Sequence, residues 1–398
     1  MRLAVVTPLD SRATGVADYS LDLLSYLARA ACAEVRVYSD TARETVCPPA
    51  AGWTWHAADE LAGEAAEHDL IIYQMGNSPA HDFMAPFLFR YPGLVVMHDL
   101  SLHDFFARQA VEAGHPATYL RAFAFGYGLG GTALARRYLQ APLPVGYPQY
   151  LVSEWLAARS LGVIVHSQHA AAVLGAHCPA ARIAVAPMPM PAPPPLCLDE
   201  ARQQLGLPPD AYVILVFGVL NVSKNPLAVL DALKALLADS VRARVVFMGL
   251  ENSSFRLAPE IERRGLQASV MQLGFVADPA LVHRWLAAAD VAVGLRSLYW
   301  GETPSSALRV LAAGTPMIVN NVGAFGELPD AACVKLPAQS PDMAGELYRA
   351  LLDLWRQPDR RRAMREAARA YIEQEHAPAR TVEAYGAMLD AIWQGTAC

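Results

Sequence analysis

Two positions in the second half of the chain carry residues that could bind a phosphorylated ligand. At the first, the apolar run Tyr212–Phe217 is followed by Gly218 and, six residues later, by Lys224. A glycine at a strand end lets a ligand approach the backbone, and a lysine ammonium is a compact positive charge for a phosphate. The alternative interpretation is an exposed lysine that opens the helix Pro226–Leu237.

The second position is the start of a predicted helix that begins with Glu302-Thr303-Pro304-Ser305-Ser306. Thr303 suits the N-cap and Pro304 the first helical residue. The amides of the first turn, with the hydroxyls of Ser305 and Ser306, would bind an anion. Glu302 could accept hydrogen bonds from hydroxyl groups of the molecule that carries this anion. A sugar phosphate has both groups, whereas the alternative is a capped helix beside a solvated glutamate.

Polar residues also follow predicted strands in the first half of the chain. Gly15 stands in a turn between a strand and a helix, and Asn77 comes shortly after the strand 71–73. His98 and Asp99 follow the strand 94–97, where His98 could donate a hydrogen bond to a substrate oxygen. A metal site that combines these two residues with His103 and Asp104 lacks the spacing of known ligand pairs. We therefore expect ordinary packing for His103 and Asp104.

The segment Gly126–Gly131 matches the pattern G-x-G-x-x-G of dinucleotide-binding loops. That fingerprint requires a strand before the first glycine. Here it follows Tyr119–Phe125, which is typical of a helix. We therefore interpret the glycines as helix packing or as part of a surface on the acceptor side.

Composition limits the class of protein. The chain has 398 residues, of which 54% are hydrophobic and 18% charged, which fits two globular domains. Its net charge of −6 argues against a nucleic-acid-binding surface. The six cysteines show no Cys-x-x-Cys pair, which favours a reducing cytosol. Pro8 ends the first apolar run, and no apolar run approaches the length of a membrane span, so we expect a cytoplasmic protein.

Short β-branched runs alternate with helical patterns along the whole chain, which predicts an α/β fold with parallel sheets. The proline-rich stretch Pro187–Pro195 can form neither a helix nor a central strand, and is predicted to link two doubly wound domains. The predicted boundaries are 1–187 for the first domain, 188–197 for the hinge, 198–375 for the second domain and 376–398 for a closing helix. Ligands of such sheets bind at the carboxyl ends of the strands, so we expect a cleft lined by those loops.

The ordered set of motifs resembles the retaining glycosyltransferases of family four, which have the GT-B fold of two Rossmann-like domains facing across a cleft. The resemblance extends over essentially the whole chain. It rests on the following segments: Gly15 with Ala17-Asp18-Tyr19, Gln74 to Asn77, His98-Asp99, Gly218 to Lys224, Leu273 to Val276, Asp290 to Val293, Gly314-Thr315-Pro316, Gly323 to Glu327, and the helix after His376.

The resemblance implies a role for each matching position. A sugar nucleotide would be held mainly by the second domain and an acceptor by the first. The implied donor-binding residues are Gly15, Gly218, Lys224, Phe275, Val276, Arg296, Glu302, Thr303, Ser305, Ser306 and Arg309. The implied catalytic residues are His98, Glu302 and Lys224, and the acceptor-side residues are Asp18, Tyr19, Asn77 and Asp99. The reaction would be a front-face displacement that requires neither a metal nor another cofactor.

The sequence differs from the usual family pattern at two positions. The second glutamate of the signature Glu-x7-Glu is replaced by Arg309, and the sequence resembles a branch with Gly-Glu-Thr/Ser-x-Ser followed by arginine. The arginine that commonly follows the strand-end glycine is Val219 here. Arg296 is predicted to supply that charge instead.

We expect a hexosyltransferase that uses a UDP- or GDP-sugar and a glycan or glycolipid acceptor in bacterial surface polysaccharide synthesis. The alternatives are a GT-B sugar-nucleotide epimerase and a non-catalytic GT-B partner subunit, the latter suggested by Arg309. A further hypothesis is that the arginine-flanked stretch Tyr119–Tyr138 makes peripheral contact with the inner face of the membrane.

Overall fold

Two all-parallel β-sheets with helical connections form the framework of the chain in the computed structural model. The structure describes residues 1–12, 14–30, 34–42, 52–141, 150–252, 255–299 and 301–396. Contacts between residues divide the chain into two compact units. Unit 1 comprises Met1–Pro189, Trp300–Thr303 and Pro378–Cys398, and unit 2 comprises Met190–Tyr299 and Pro304–Ala377.

The sheet of unit 1 has seven strands. They are β1 (Arg2–Val6), β2 (Glu34–Ser39), β3 (Trp53–Ala57), β4 (Leu70–Met75), β5 (Leu94–Met97), β6 (Gly162–Val165) and β7 (Ile183–Val185). Their order across the sheet is β3-β2-β1-β4-β5-β6-β7, and every described pairing is parallel.

Helices connect these strands. In the first part of the chain they are α1 (Gly15–Ala30), α2 (Leu61–Glu64), α3 (Ala85–Leu88), α4 (His103–Val111), α5 (Pro116–Gln140), α6 (Glu154–Arg159) and α7 (Gln168–His177). The strands expected at 71–73 and 94–97 are present as β4 and β5, and the helix expected over Tyr119–Phe125 is part of the much longer α5. His103 is fully buried at the start of α4 and bonds to Tyr119, so the packing role expected for it is confirmed.

Unit 2 contains a six-stranded parallel sheet in the order β10-β9-β8-β11-β12-β13. Its strands are β8 (Tyr212–Phe217), β9 (Ala243–Met248), β10 (Val270–Gly274), β11 (Val291–Gly294), β12 (Met317–Asn320) and β13 (Cys333–Leu336). Its helices are α8 (Leu198–Leu205), α9 (Pro226–Ala238), α10 (Ala258–Arg264), α11 (Pro279–Ala288), α12 (Ser305–Ala312), α13 (Met343–Arg356) and α14 (Pro358–Glu375). The last helix of the chain, α15 (Pro378–Thr396), belongs to unit 1.

The central strands are almost continuously apolar because both of their faces are buried. All six residues of β4 are buried, as are the first five of β8, which is typical of a parallel sheet covered on both sides. The edge strands β3 and β7 were not predicted. The strand β3 has only its first residue buried, and β7 is three half-buried residues long, so neither shows a long apolar run.

The proline-rich stretch after β7 has no helix or strand up to Cys197. Pro187 accepts a hydrogen bond from the Thr381 hydroxyl in unit 1, at 2.7 Å. Met190 donates from its amide to the His376 carbonyl in unit 2, at 2.9 Å. The division between the units falls between Pro189 and Met190.

The glycine-rich segment 126–131 lies inside α5, so the expectation that it is no dinucleotide loop is confirmed. Gly128 has φ +61° and interrupts the helical geometry there. No helix among the described residues is both long enough and apolar enough to span a membrane. Cys178, Cys197 and Cys333 are free thiols. The remaining cysteines, Cys32, Cys47 and Cys398, lie outside the described residues.

Candidate functional site

In each sheet some of the candidate residues lie at the two neighbouring strands at which the chain order reverses. In unit 1 these strands are β1 and β4, and in unit 2 they are β8 and β11. The crevice outside the carboxyl ends of such a strand pair is the usual ligand site of an open α/β sheet. In unit 1, Gly15 comes after β1 and Gln74 lies near the end of β4. In unit 2, Gly218 follows β8 and Arg296 follows β11.

Lys224 and Ser306 meet above Gly218 at the carboxyl end of β8. Gly218 has φ +94°. A Cβ atom on this residue would lie 2.7 Å from Lys224 Nζ and 3.5 Å from Ser306 Cβ. Lys224 is buried, and its Nζ donates to the Phe217 carbonyl at 2.7 Å. The lysine is therefore not an exposed helix-opening residue; its ammonium is held against the strand end beside a serine side chain.

The loop after Gly218 is shaped by local hydrogen bonds. Asn221 Oδ1 accepts from the Ser223 hydroxyl at 2.6 Å and from the Lys224 amide at 3.2 Å, which closes a 3-10 turn over Val222–Lys224. Asn225 then adopts the left-handed conformation, with φ 51°, immediately before Pro226 begins α9. Asparagine tolerates this conformation better than most residues. The turn aims the Lys224 side chain back over the end of β8.

The helix α12 begins later than predicted. Pro304, not Thr303, occupies the N-cap position, with φ −78° and ψ 70°, and Ser305 is the first helical residue. The Pro304 carbonyl accepts the first helical bond, from the Leu308 amide at 3.0 Å, and the Thr303 amide donates to the His98 carbonyl at 3.4 Å. The predicted N-cap is therefore wrong. The first backbone N–H groups of the helix, which have no acceptor within the helix itself, are therefore those of Ser305 and Ser306.

Arg309 lies one turn into α12, on the same face as the two serines. Ser305, Ser306 and Arg309 are half-buried, while Ala307, Leu308 and Val310 are buried. This spacing of three and four residues is that of neighbours on one helix face. Arg309 therefore adds positive charge to the helix face that carries the serines.

Arg296 lies beside the same strand end. Its guanidinium carbon is 4.8 Å from the centroid of the Phe325 ring, and its amide donates to Asn320 Oδ1 at 2.7 Å. Arg296, Phe217, Ser306 and Phe325 line one small cavity. The structure thus brings Arg296, Lys224, Ser306 and Gly218 together, as expected for a site that binds an anion.

Phe275 and Val276 follow β10 at the same edge of the sheet. Gly274 has φ +63°, and its carbonyl accepts from the Gly249 amide at 2.8 Å. Phe275 is 48% exposed, and exposed apolar side chains also follow the two neighbouring strands. These are Val219 and Val222 after β8, and Leu250 after β9. The carboxyl edge of unit 2 therefore has an apolar side next to its cationic part.

In unit 1, the rings of Tyr19, His98 and His166 pack together at the carboxyl ends of the strands. The Tyr19 and His98 ring centroids are 4.6 Å apart, and those of His98 and His166 are 4.9 Å apart. The Tyr19 hydroxyl is 2.7 Å from the buried hydroxyl of Tyr385 on α15. Tyr19, predicted as an acceptor-side contact, thus uses its hydroxyl inside the protein and supports the His98 ring. Gly15 and Asp18 lie at the exposed or half-exposed start of α1.

Asn77 is used almost entirely to build the loop after β4. Its amide donates to Asp99 Oδ2 at 2.7 Å, its side-chain oxygen accepts from the Phe105 amide at 2.9 Å, and its carbonyl accepts from Arg108 at 2.8 Å. Its Nδ2 donates to Asp104 at 3.3 Å. Asn77 was predicted on the acceptor side; the structure gives it the role of fixing Asp99 and the start of α4.

Glu302 lies on a short segment that pairs with the turn after β5. The Leu100 amide donates to the Gly301 carbonyl at 3.3 Å, and Thr303 bonds back to His98. Gly301 has φ +83°, and a Cβ atom there would lie 2.2 Å from Leu100 Cβ, so the close approach requires glycine. Burial raises the pKa of Asp99 to about 6, against the lowering effect of the Asn77 amide, and the charges of Glu302 and Asp104 raise it further. Glu302 and Asp99 are therefore electrostatic neighbours in unit 1.

Three residues near His98 were not given a role from sequence. Gln74 accepts a hydrogen bond from His98, His166 packs against its ring, and Tyr385 bonds to Tyr19. Gln74 stands at the end of a predicted strand, and His166 follows another strand. These positions in the sequence could have identified both residues as candidates. Tyr385 lies more than two hundred residues away in an ordinary helical pattern, and no sequence feature points to it.

A group with metal-ligand geometry lies outside this site. Among the described residues, His56, Glu60 and Glu64 bring one potential ligand atom each to within 4.8 Å of one another. Arg36 already bonds to Glu64 at 3.2 Å and Tyr38 to the same oxygen at 2.6 Å. Glu64, one of the three potential ligands, is therefore already paired with an arginine and a tyrosine of the protein.

Comparison with known proteins places this architecture in a defined class. The fold of two Rossmann-like units with parallel sheets is the GT-B fold of glycosyltransferases. Residues 199–371 match the family model described as "Glycosyl transferases group 1". No curated protein matches the sequence.

Three solved structures illustrate the likeness. Sucrose-phosphate synthase from Thermosynechococcus elongatus is 16% identical, with a TM-score of 0.70 over 99% of this chain and 100% of that one. HepE from Anabaena, in complex with UDP-glucose, is 17% identical, with a TM-score of 0.69 over 98% of this chain and 100% of that one. WaaG, a glycosyltransferase involved in lipopolysaccharide biosynthesis, is 16% identical, with a TM-score of 0.64 over 96% of this chain and 98% of that one.

Proposed function

We propose that this protein is a retaining hexosyltransferase that transfers a sugar from a UDP- or GDP-sugar to a glycan or glycolipid acceptor. The observation that carries the proposal is the meeting of Lys224 and Ser306 above Gly218, at the strand pair where α/β sheets bind ligands. The glycosyltransferase group 1 match of residues 199–371 supports the same reaction class. The complex of HepE with UDP-glucose supports a nucleotide sugar, and UDP is the first nucleotide to test.

The cationic residues of unit 2 would bind the diphosphate of the donor. Lys224 offers an ammonium and α12 its first amides, while Arg296 and Arg309 add two permanent positive charges. Charge that develops on the leaving diphosphate would be stabilised by these groups. This arrangement provides the electrostatic role that a metal ion has in other transferases, so we propose that no metal is required.

The residues of unit 1 would bind the sugar and the acceptor. Glu302 would accept hydrogen bonds from sugar hydroxyls, and neutral His98 would bind another hydroxyl. In the front-face reaction the bond between the anomeric carbon and the phosphate oxygen breaks, and the acceptor oxygen bonds to the same face of that carbon. The acceptor proton passes to the leaving phosphate, which balances the reaction. Asp99 and the start of α1, with Asp18, would lie on the acceptor side.

The exposed apolar edge formed by Val219, Val222, Leu250 and Phe275 suits the nucleotide base. A planar ring can cover such side chains while backbone groups near Phe275 and Val276 read its polar edge. This assignment places the base beside the cationic residues that bind its diphosphate.

Isothermal titration calorimetry with UDP and with GDP, in the absence of metal, tests the donor site. We expect one nucleotide to bind, and the substitution Lys224→Ala to weaken it by about 1–3 kcal/mol, as for a lost charged hydrogen bond. Lys234→Ala is the matched control, since Lys234 is an exposed lysine on α9. Equal binding to both variants, or no binding of either nucleotide, would contradict the proposal.

A turnover screen then separates the remaining alternatives. A transferase releases nucleotide only in step with a glycosylated acceptor, and Glu302→Gln should abolish that release. Free epimerised sugar without acceptor would identify an epimerase. Nucleotide binding without any turnover would favour a partner subunit, the alternative suggested by Arg309 and Val219.

We also propose that α5 contacts the cytoplasmic face of a membrane. Phe125 is 53% and Leu129 90% exposed, on either side of the kink at Gly128, with exposed Arg121, Arg136 and Arg137 on the same helix. Exposed apolar side chains with neighbouring arginines are typical of interfacial helices. Tyr119 and Tyr138, the ends of the predicted stretch, are buried, so the contact would be made by the middle of the helix.

Sedimentation with anionic liposomes at low salt tests this contact. We expect the wild type to pellet, and Leu129→Asp to reduce the pelleted fraction several-fold. Gln140→Asp adds the same charge at the end of the helix and should have a much smaller effect. Failure of the wild type to pellet would rule the proposal out.

A further inference from the structure

Gln74 and His98 form a fully internal hydrogen bond between two neighbouring strand ends. Gln74 is the penultimate residue of β4 and has no exposed surface, and His98 follows β5. The distance from Gln74 Oε1 to His98 Nε2 is 2.9 Å. The parallel register of β4 and β5 pairs Gln74 with Val96 and Met75 with Met97, which brings the two side chains to the same edge.

The surroundings of His98 keep its ring neutral. Burial, together with the neighbouring imidazoles of His166 and His81, holds the pKa of His98 well below its usual range. A neutral imidazole carries one N–H and one lone pair, and the hydrogen bond of one nitrogen decides which nitrogen has the proton. Tyr19 and His166 pack against the ring, so it has little freedom to rotate.

The contact between Gln74 and His98 decides which ring nitrogen has the proton. The Gln74 atom that faces His98 Nε2 is the amide oxygen, which can only accept a hydrogen bond, so His98 Nε2 must donate. Gln74 Nε2 makes no hydrogen bond within 3.5 Å to a described residue.

We propose that Gln74 is a positioning residue that holds His98 as the Nε2–H tautomer and thereby leaves Nδ1 as a hydrogen-bond acceptor for a hydroxyl of the bound ligand. No described residue hydrogen-bonds to Nδ1 of His98. The sequence suggested that His98 donates to a substrate oxygen; in the proposed tautomer the only N–H of the ring is used by Gln74, so His98 would accept from the ligand instead. The sugar as the source of the hydroxyl rests on the proposed function, whereas the tautomer does not.

The first test determines which nitrogen of the His98 ring carries the proton in the ligand-free protein. Long-range proton–nitrogen correlation spectra of protein with isotope-labelled histidine distinguish the two neutral forms, and His98→Asn identifies the His98 signals. We expect the Nε2–H form in the wild type. Gln74→Met, which removes the acceptor but keeps the length of the side chain, should populate the Nδ1–H form. Gln74→Glu restores an acceptor and should return the ring to a proton on Nε2.

The second test measures whether the tautomer matters for the ligand. For Gln74→Met we expect affinity for the sugar nucleotide to fall roughly 10-fold, the value of one lost hydrogen bond, with affinity for the nucleoside diphosphate unchanged. A merely structural role would weaken both ligands together. Thermal melting confirms that the variant is folded.

Three results would overturn the proposal. They are a wild-type His98 with its proton on Nδ1, a tautomer that Gln74→Met leaves unaltered, and an equal loss of affinity for both ligands in Gln74→Met. Absence of all nucleotide binding in the wild type would contradict the proposed function instead, and the spectra would still decide the tautomer.

Discussion

At the scale of single residues, the candidate site combines groups whose charge is set by burial. His98 is kept neutral and Asp99 is shifted towards neutrality, although both stand at a strand end among polar residues. Lys224, in contrast, donates a hydrogen bond from Nζ to the uncharged backbone carbonyl of Phe217. Burial therefore favours uncharged hydrogen-bonding groups at this strand end of unit 1, whereas Lys224 in unit 2 has only an uncharged hydrogen-bond partner among the contacts described above.

The raised pKa of Asp99 predicts how the free energy of unfolding changes with pH. Its folded pKa of about 6 lies above the ordinary value of about 3.9 in an unfolded chain. The stability that the protonated group contributes is therefore fully present below the unfolded pKa and is lost as the pH rises through 6. Asp99→Asn removes this loss. Its free energy of unfolding, relative to that of the wild type, should therefore rise by about 1–3 kcal/mol between pH 4 and pH 8.

Urea unfolding of both proteins at pH 4, 6 and 8 measures this change. The substitution Asp59→Asn, at an exposed aspartate, serves as the control. A stability difference between Asp99→Asn and the wild type that does not vary with pH would show that Asp99 ionises normally in the folded protein.

At the scale of elements, a buried ionic network joins one strand to two helices of unit 2. Asp290, just before β11, pairs with Arg202 of α8, accepts from the Val213 amide of β8 at 2.7 Å, and lies 3.7 Å from Arg361 of α14. Arg202 also donates to the Ala288 carbonyl at 3.1 Å. Asp290 is one of the residues that carry the resemblance to glycosyltransferases in the sequence, and in the structure it serves the packing of the sheet and its helices.

Removal of Asp290 should be strongly destabilising. Asp290→Ala leaves Arg202 buried without its carboxylate partner, which costs about 3–5 kcal/mol. Asp210→Ala breaks the ion pair with Arg242, whose two side chains are 55% and 80% exposed, and should cost at most about 1 kcal/mol. Chemical denaturation compares the two variants. Similar losses for both would contradict a structural role of the buried network.

At the scale of the whole molecule, the ends of the chain complete unit 1. The helix α15 packs on α1, and its Tyr385, Met388 and Ile392 are buried. Gly162 at the start of β6 leaves room for it, since a Cβ atom there would lie 2.7 Å from Met388 Sδ. The last helix is thus part of the core that supports Tyr19 and His98.

Tyr385→Ala should therefore weaken unit 1 selectively. Loss of a fully buried aromatic side chain typically costs about 3–5 kcal/mol, and Tyr19 also loses its hydroxyl partner. We expect faster hydrogen exchange in β1 and β4–β6, with the exchange of β8–β13 unchanged because unit 2 has its own core. Trp393→Ala, at a 60% exposed position of the same helix, is the control. Equal changes in both units would show that the helix supports more than unit 1.

The sequence by itself determined the repeating pattern of the fold and the strand ends where chemistry is located. Short continuous apolar runs such as β4 and β8, bounded by turn residues, indicate buried strands, and parallel strands bring their following loops to one edge. For this reason the sequence alone identified candidate site residues at the strand ends: Gly218, Lys224, Arg296, His98 and Asp99.

Only the tertiary structure decided how these residues are used. The Thr303 amide donates to the carbonyl of His98, a residue two hundred positions away in the chain. The commitment of Asn77 to its own loop, of Tyr19 to Tyr385 and of Gln74 to His98 depends on the same kind of contact. Local patterns determine which segments become strands and helices, but the partner of a buried polar group is determined by which segments the fold brings together.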